Sequence, residues 1–131
     1  MVLVTVQGVY QDPENRYFVL LQSAETKLKL PIWIGQCEAM HISQKLVATE
    51  TDAPLTFDVV GDILAKTQVK ISYVLISDGN GSTFDAICKL QNTKEDDEIK
   101  SRPSDAIALA LSVNVPIYLS KEILDEYGRK A

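Results

Sequence analysis

Six side chains combine a chemistry with a place to do it. Glu38 and His41, Asp58, and Arg102, Ser104 and Asp105 each fall at or near the start of a segment with helical spacing. The first backbone N–H groups of a helix attract anions. Carboxylates in that position supply the hard oxygen ligands that Mg2+ or Mn2+ takes, here Glu38, Asp58 and Asp105. A guanidinium such as Arg102 grips a carboxylate or phosphate through paired N–H groups. Ser104 offers a hydroxyl to an anion's oxygen, and His41 is the one side chain whose ordinary pKa suits base chemistry near neutrality. A plainer reading uses the same residues as structure: Arg102 pairs with Asp58 or Glu38 and locks three helix starts together. Ser104 and Asp105 then cap a helix, and His41 is a half-exposed helix residue.

Other chemistries find no support. There is no Gly-rich phosphate loop, no GxSxG, no HExxH and no Cys/His set with metal spacing. His41 is the only histidine, which excludes multi-histidine metal sites within one chain. Nothing points to an organic cofactor. Cys37 and Cys88 are two isolated thiols without CxxC spacing, read as small core hydrophobes in a reducing, cytoplasmic setting.

Positioning these residues falls to alternating strands and helices. Val2, Val4 and Val6 alternate with polar or outward residues, and Tyr17–Leu21 follows the turn residues Asp12-Pro13-Glu14-Asn15, so residues 2–22 read as a β-hairpin. Leu28–Ile34 is a third strand, in which Pro31 argues for a sheet edge or a bulge. Cys37–Val47 switches to helical spacing, with Ala39, Ile42 and Leu46 on one face and Glu38, His41 and Lys45 on another. After a polar loop at Thr49–Pro54, Thr56 caps a second helix over about 57–66. Val69–Ser77 and Thr83–Leu90 form a second hairpin about Asp78-Gly79-Asn80-Gly81. An acidic connector, Asn92–Asp97, leads to a short strand at Glu98-Ile99-Lys100. Pro103 opens a third helix over about 103–113. Val115–Leu119 is the last strand, and Ser120 caps a short helix over about 121–127. These elements predict one α+β domain over residues 1–131: a mixed sheet with hairpins and three to four packed helices.

At 131 residues, 46% hydrophobic and 24% charged, the chain suits one core-forming domain rather than a disordered one. No apolar run approaches the ~20 residues of a membrane span, so no membrane is expected as a partner. Met1-Val2-Leu3-Val4-Thr5-Val6 reads as a strand rather than a secretory leader. The net charge of −5, with basic residues scattered, excludes a broad nucleic-acid-binding field and leaves room only for a small local site. Apolar faces on Val2–Val6 and Tyr17–Leu21 predict a homo-oligomer, most simply a two-fold dimer. The strand edge at Val2–Val6 or around Pro31 is then available for pairing.

Four segments carry a resemblance to a known family: Leu30-Pro31-Ile32-Trp33-Ile34-Gly35, Glu38-Ala39, Pro54-Leu55-Thr56-Phe57-Asp58, and Ser101-Arg102-Pro103-Ser104-Asp105-Ala106-Ile107-Ala108-Leu109-Ala110-Leu111 followed by Val115-Pro116-Ile117-Tyr118. In this order and separation they resemble the bifunctional nuclease domain, over about Val2–Leu124. The resemblance implies a compact, self-associating α+β domain and hydrolysis of phosphodiester bonds in RNA and DNA. On that reading a divalent cation on Glu38, Asp58 and Asp105 polarises the phosphoryl group, while Arg102 and Ser104 hold the phosphate. One position departs: the family commonly has His where this chain has Phe57, so a base or ligand is missing there and His41 is its nearest substitute. The alternative is a non-catalytic, oligomeric binding or scaffolding domain in which the same polar residues form an internal ion-pair network.

Overall fold

A computed structural model describes residues 1–47, 56–78, 83–91 and 97–130. The polar loop expected at Thr49–Pro54, the turn at 79–82 and the connector at 92–96 lie outside the described residues. Strand β1 (Val2–Gln11) and strand β2 (Tyr17–Ser23) form the first hairpin, with a bulge between Val6 and Gly8. Asp12 closes its turn: one carboxylate oxygen accepts from the backbone N–H groups of Glu14 and Arg16, at 3.0 and 2.8 Å. Asn15 takes the left-handed conformation the turn needs, with φ 64°. Strand β3 (Lys29–Ile34) pairs antiparallel with β2.

Helix α1 (Gln36–Leu46) and helix α2 (Thr56–Lys66) follow, then strands β4 (Lys70–Asp78), β5 (Phe84–Gln91) and β6 (Glu98–Ser101), which pair antiparallel in sequence. Helix α3 (Pro103–Val113), strand β7 (Ile117–Leu119) and helix α4 (Lys121–Tyr127) complete the chain. The seven strands form one mixed sheet in the order β3-β2-β1-β7-β4-β5-β6. β7 sits at its centre, antiparallel to β1 and parallel to β4. This is the expected α+β domain. No helix of the described residues is long and apolar enough to cross a membrane.

One expectation about edges is reversed and one holds. Val2–Val4 is no free edge, because Val2, Leu3 and Val4 pair with Leu119, Tyr118 and Ile117. β3 is an edge strand, and Pro31 occupies it where a missing N–H costs least. The last strand starts at Ile117 rather than Val115, since Asn114 ends α3 in the left-handed conformation and the Val115 N–H turns back to the Ala110 carbonyl.

The core lies between the sheet and the helices. Val4, Val19, Leu21, Ile32, Val74, Ile76 and Leu119 are buried on the inner sheet face. α3 packs centrally there, burying Ala106, Ile107, Ala108 and Ala110. Its small residues let the helix approach the strands closely. Of the two cysteines, Cys88 is in this core as expected, but Cys37 is exposed at the start of α1, where its face turns to solvent. The opposite sheet face carries Leu3, Tyr10 and Trp33 exposed.

Candidate functional site

Two helix starts meet at one end of the domain. α1 begins after Gly35, and the Glu38 side chain folds back over that glycine; a Cβ at position 35 would collide with the Glu38 carboxylate. α3 begins after Arg102, with Pro103 at its first position, where the lost N–H has no helical partner anyway. Arg102 makes no side-chain cap. Instead its guanidinium donates from Nε to Asp105 Oδ2 at 2.9 Å and from Nη2 to Asp105 Oδ1 at 3.0 Å, a fork-to-fork pair within one turn. Nη2 also donates to Glu38 Oε1 at 3.0 Å, joining α3 to α1.

The expected link between Arg102 and a carboxylate of another helix is therefore made, by Glu38. Hydrogen bonding and charge from Asp105, then the charge of Glu38, raise the Arg102 pKa above its ordinary value. The arginine side chain keeps 68% of its surface exposed, and Nη1 makes no hydrogen bond among the described residues. The result is a fixed cation presenting one N–H pair to solvent. Ser104 is buried in the first turn of α3, beyond the N-cap position at which a serine caps. Asp105 likewise serves Arg102 rather than the cap.

A cleft of about 480 Å³ opens beside this ion pair, lined by Cys37, Glu38, His41, Phe57, Arg102 and Asp105. His41 is only 5% exposed, a correction to the half-exposed residue expected from its neighbours Glu38 and Lys45. Its Nε2 lies 3.0 Å from Ser112 Oγ, and the ring also hydrogen-bonds the Ala108 backbone, so both partners belong to α3. Phe57 packs edge-on against the imidazole, with ring centroids 5.0 Å apart. Burial pushes the His41 pKa below its ordinary value; the charge of Lys45 adds to this, while Asp58 and the Ala108 hydrogen bond oppose it. The neutral imidazole clamps α1 to α3.

Asp58 goes elsewhere. Its carboxylate pairs with Lys45 of α1 rather than with Arg102. The three helices are tied together as expected, but through two links, Glu38–Arg102 and Lys45–Asp58, rather than one shared cluster. Among the described residues no three His, Cys, Asp or Glu side chains gather as a metal cage. Glu38 and Asp105 converge and Asp58 does not join them. Two carboxylates suit a Mg2+-type ion that keeps water and phosphate in its other positions, not an ion enclosed by protein. The guanidinium of Arg102 currently occupies the space between them.

Three residues of this arrangement escape a reading of motifs alone. Lys45 carries a visible signal, a basic residue in the last turn of α1. Ser112 stands eight residues after Ser104, with Ala108 midway, a polar and small stripe along an otherwise apolar helix. Gln44, whose side-chain oxygen is buried without a partner among the described residues, carries no local signal.

Comparison with known proteins identifies a family. A family model described as "Bifunctional nuclease domain" matches residues 19–131. Two uncharacterized proteins of Mycobacterium tuberculosis, one from each of two strains, are each 37% identical over 127 residues, spanning 95% of this chain and 75% of theirs.

Proposed function

The chain belongs to the bifunctional nuclease domain family, and from that premise we propose that it hydrolyses phosphodiester bonds of RNA and DNA in the cleft beside Arg102. The observation that carries the reading is Arg102 itself, held on two sides by Asp105 and Glu38 and open on the third. An arginine so fixed needs no reorganisation to meet a phosphate, and it offsets the negative charge that grows on the phosphoryl oxygens during attack by water. Glu38 and Asp105, the carboxylates that flank Arg102, would accept that water's proton while the leaving oxygen departs from phosphorus. His41 is a positioning residue, since its partners are in α3. Were Mg2+ or Mn2+ bound, Glu38 and Asp105 would hold it through the lone pairs that Arg102 leaves open, and it would supply Lewis acidity and a more acidic water. Two free thiols accord with a reducing, cytoplasmic setting.

Phe57 favours a second reading. It stands where the family commonly has His, and it packs on His41 instead of offering a ligand. A scaffolding domain would use Arg102, Glu38 and Asp105 only to hold helices. Cleavage of RNA and single-stranded DNA by rigorously purified protein, with and without Mg2+ or Mn2+, separates the two. Cleavage that disappears in Arg102→Ala and Asp105→Ala supports the nuclease. Cleavage that persists unchanged in both variants marks a contaminant and leaves the scaffold.

A further inference from the structure

We propose that Trp33, Phe18 and Tyr10 form a stacking platform for unpaired nucleobases, which leads a single-stranded nucleic acid to Arg102. This rests on the nuclease reading for its substrate. The three rings occupy directly paired positions on neighbouring strands: Tyr10 opposite Phe18, and Phe18 opposite Trp33. Their centroids are 5.7 and 5.1 Å apart, Tyr10 and Phe18 stacked at 30° and Trp33 edge-on to Phe18 at 63°, so the row offers a stepped rather than a flat surface. Trp33 is 53% exposed and Tyr10 47% exposed, on the sheet face opposite the one where Val19 and Ile32 are buried. A tryptophan placed for the core would be buried.

The platform is joined to the site. Trp33 and Arg102 line one open depression of about 490 Å³, together with Ile34, Phe84, Pro103 and Ser104. Its walls are apolar and aromatic, and its cation is Arg102. That combination suits one nucleotide, with base on ring and phosphate on guanidinium. A second cation marks the ring: the Arg16 guanidinium lies 4.9 Å over Trp33, tethered by Asp12 and largely in solvent. Arg16 thus adds a second guanidinium within reach of the phosphate of a nucleotide stacked at Trp33. The charge of the whole chain, −5, denies the broad electrostatic grip a duplex would need. Stacking supplies affinity without that grip, and only unpaired bases expose a face to stack.

Trp33 is the only tryptophan, so its fluorescence reports this site alone. The whole protein is titrated in EDTA with a cleavage-resistant 2′-O-methyl strand of about 12 nucleotides, a length within the usual range of single-strand sites. Saturable quenching by the strand, absent with the matched duplex, is expected. Anisotropy of the labelled strand should show binding weakened roughly 5- to 150-fold in Trp33→Ala and largely kept in Trp33→Phe. Equal quenching by duplex, or wild-type binding by Trp33→Ala, overturns the platform. So does a tryptophan emission shift that follows protein concentration alone, which assigns this face to a second copy. Binding without cleavage in Mg2+ leaves the platform standing and removes the nuclease. Cleavage by Trp33→Ala with unchanged KM does the reverse.

Discussion

Arg102 is fixed by partners on two different helices, and substitutions there discriminate between charge and shape. Arg102→Lys keeps the charge but has no planar fork for Asp105, so it cannot hold both carboxylates in the same geometry. We expect cleavage by Arg102→Lys to fall about 100-fold or more, near the effect of Arg102→Ala, as is usual when a preorganised transition-state donor is lost. Rates on one labelled strand at saturating substrate give the comparison. Asp105→Asn tests the cation. The site is open to water, so the change should cost at most about 1 kcal/mol of stability. If Glu38 and Asp105 hold Mg2+ or Mn2+, thermal stabilisation by either ion disappears in the variant; equal shifts in both proteins count against the ion. His41 gives a pH dependence. Its folded pKa lies below the ordinary value of about 6.5, so the unfolded chain binds the proton more readily. The stability it supports is present above pH ~6.5 and declines as the pH falls towards the folded pKa, by at most about 1.4 kcal/mol per pH unit. Urea unfolding at a series of pH values should show this slope in the wild type and lose it in His41→Asn.

At the scale of elements, α3 is the most sensitive part of the core. Ala110 is buried against the strands, and Ala110→Leu should overpack that contact at a cost of roughly 1–3 kcal/mol, read from the urea midpoint. α3 is also the most legible element at its start, which Pro103 marks; its stop, at Asn114 in the left-handed conformation, is a finding of the structure. The same holds for the first hairpin, where Asp12 and Asn15 specify the turn. Pairing across the sheet was less legible. Val2–Val6 alternates as an edge strand would, and nothing within it names β7 as its neighbour. The candidate site divides along the same line. Arg102 with Asp105 is a separation of three at one helix start and readable as such, while placement at a helix start left Glu38 and Asp58 as equal candidates for the second partner. The Lys45–Asp58 pair and the clamp from His41 to Ser112 depend on how helices cross, which spacing within any one helix does not encode.

For the molecule as a whole, Leu3 is an exposed apolar side chain on the open sheet face that the Trp33–Phe18–Tyr10 row does not use. We expect a two-fold dimer, which light scattering at micromolar concentration would show as twice 14.5 kDa; a single 14.5 kDa species would refute it. A Leu3→Lys variant should shift that equilibrium towards the monomer without lowering the urea midpoint at high dilution. The sheet order has a consequence for how the molecule comes into being. β1 to β3 and β4 to β6 are each completed by pairing with neighbours in sequence, yet only β7 joins the two halves. If the halves pair during synthesis, each keeps an unpaired inner edge until residues 117–119 leave the ribosome. Those edges, on β1 and β4, are open templates for strands of other nascent chains. The three residues that contribute least to the sheet's length thus decide whether two ribbons become one protein or an aggregate.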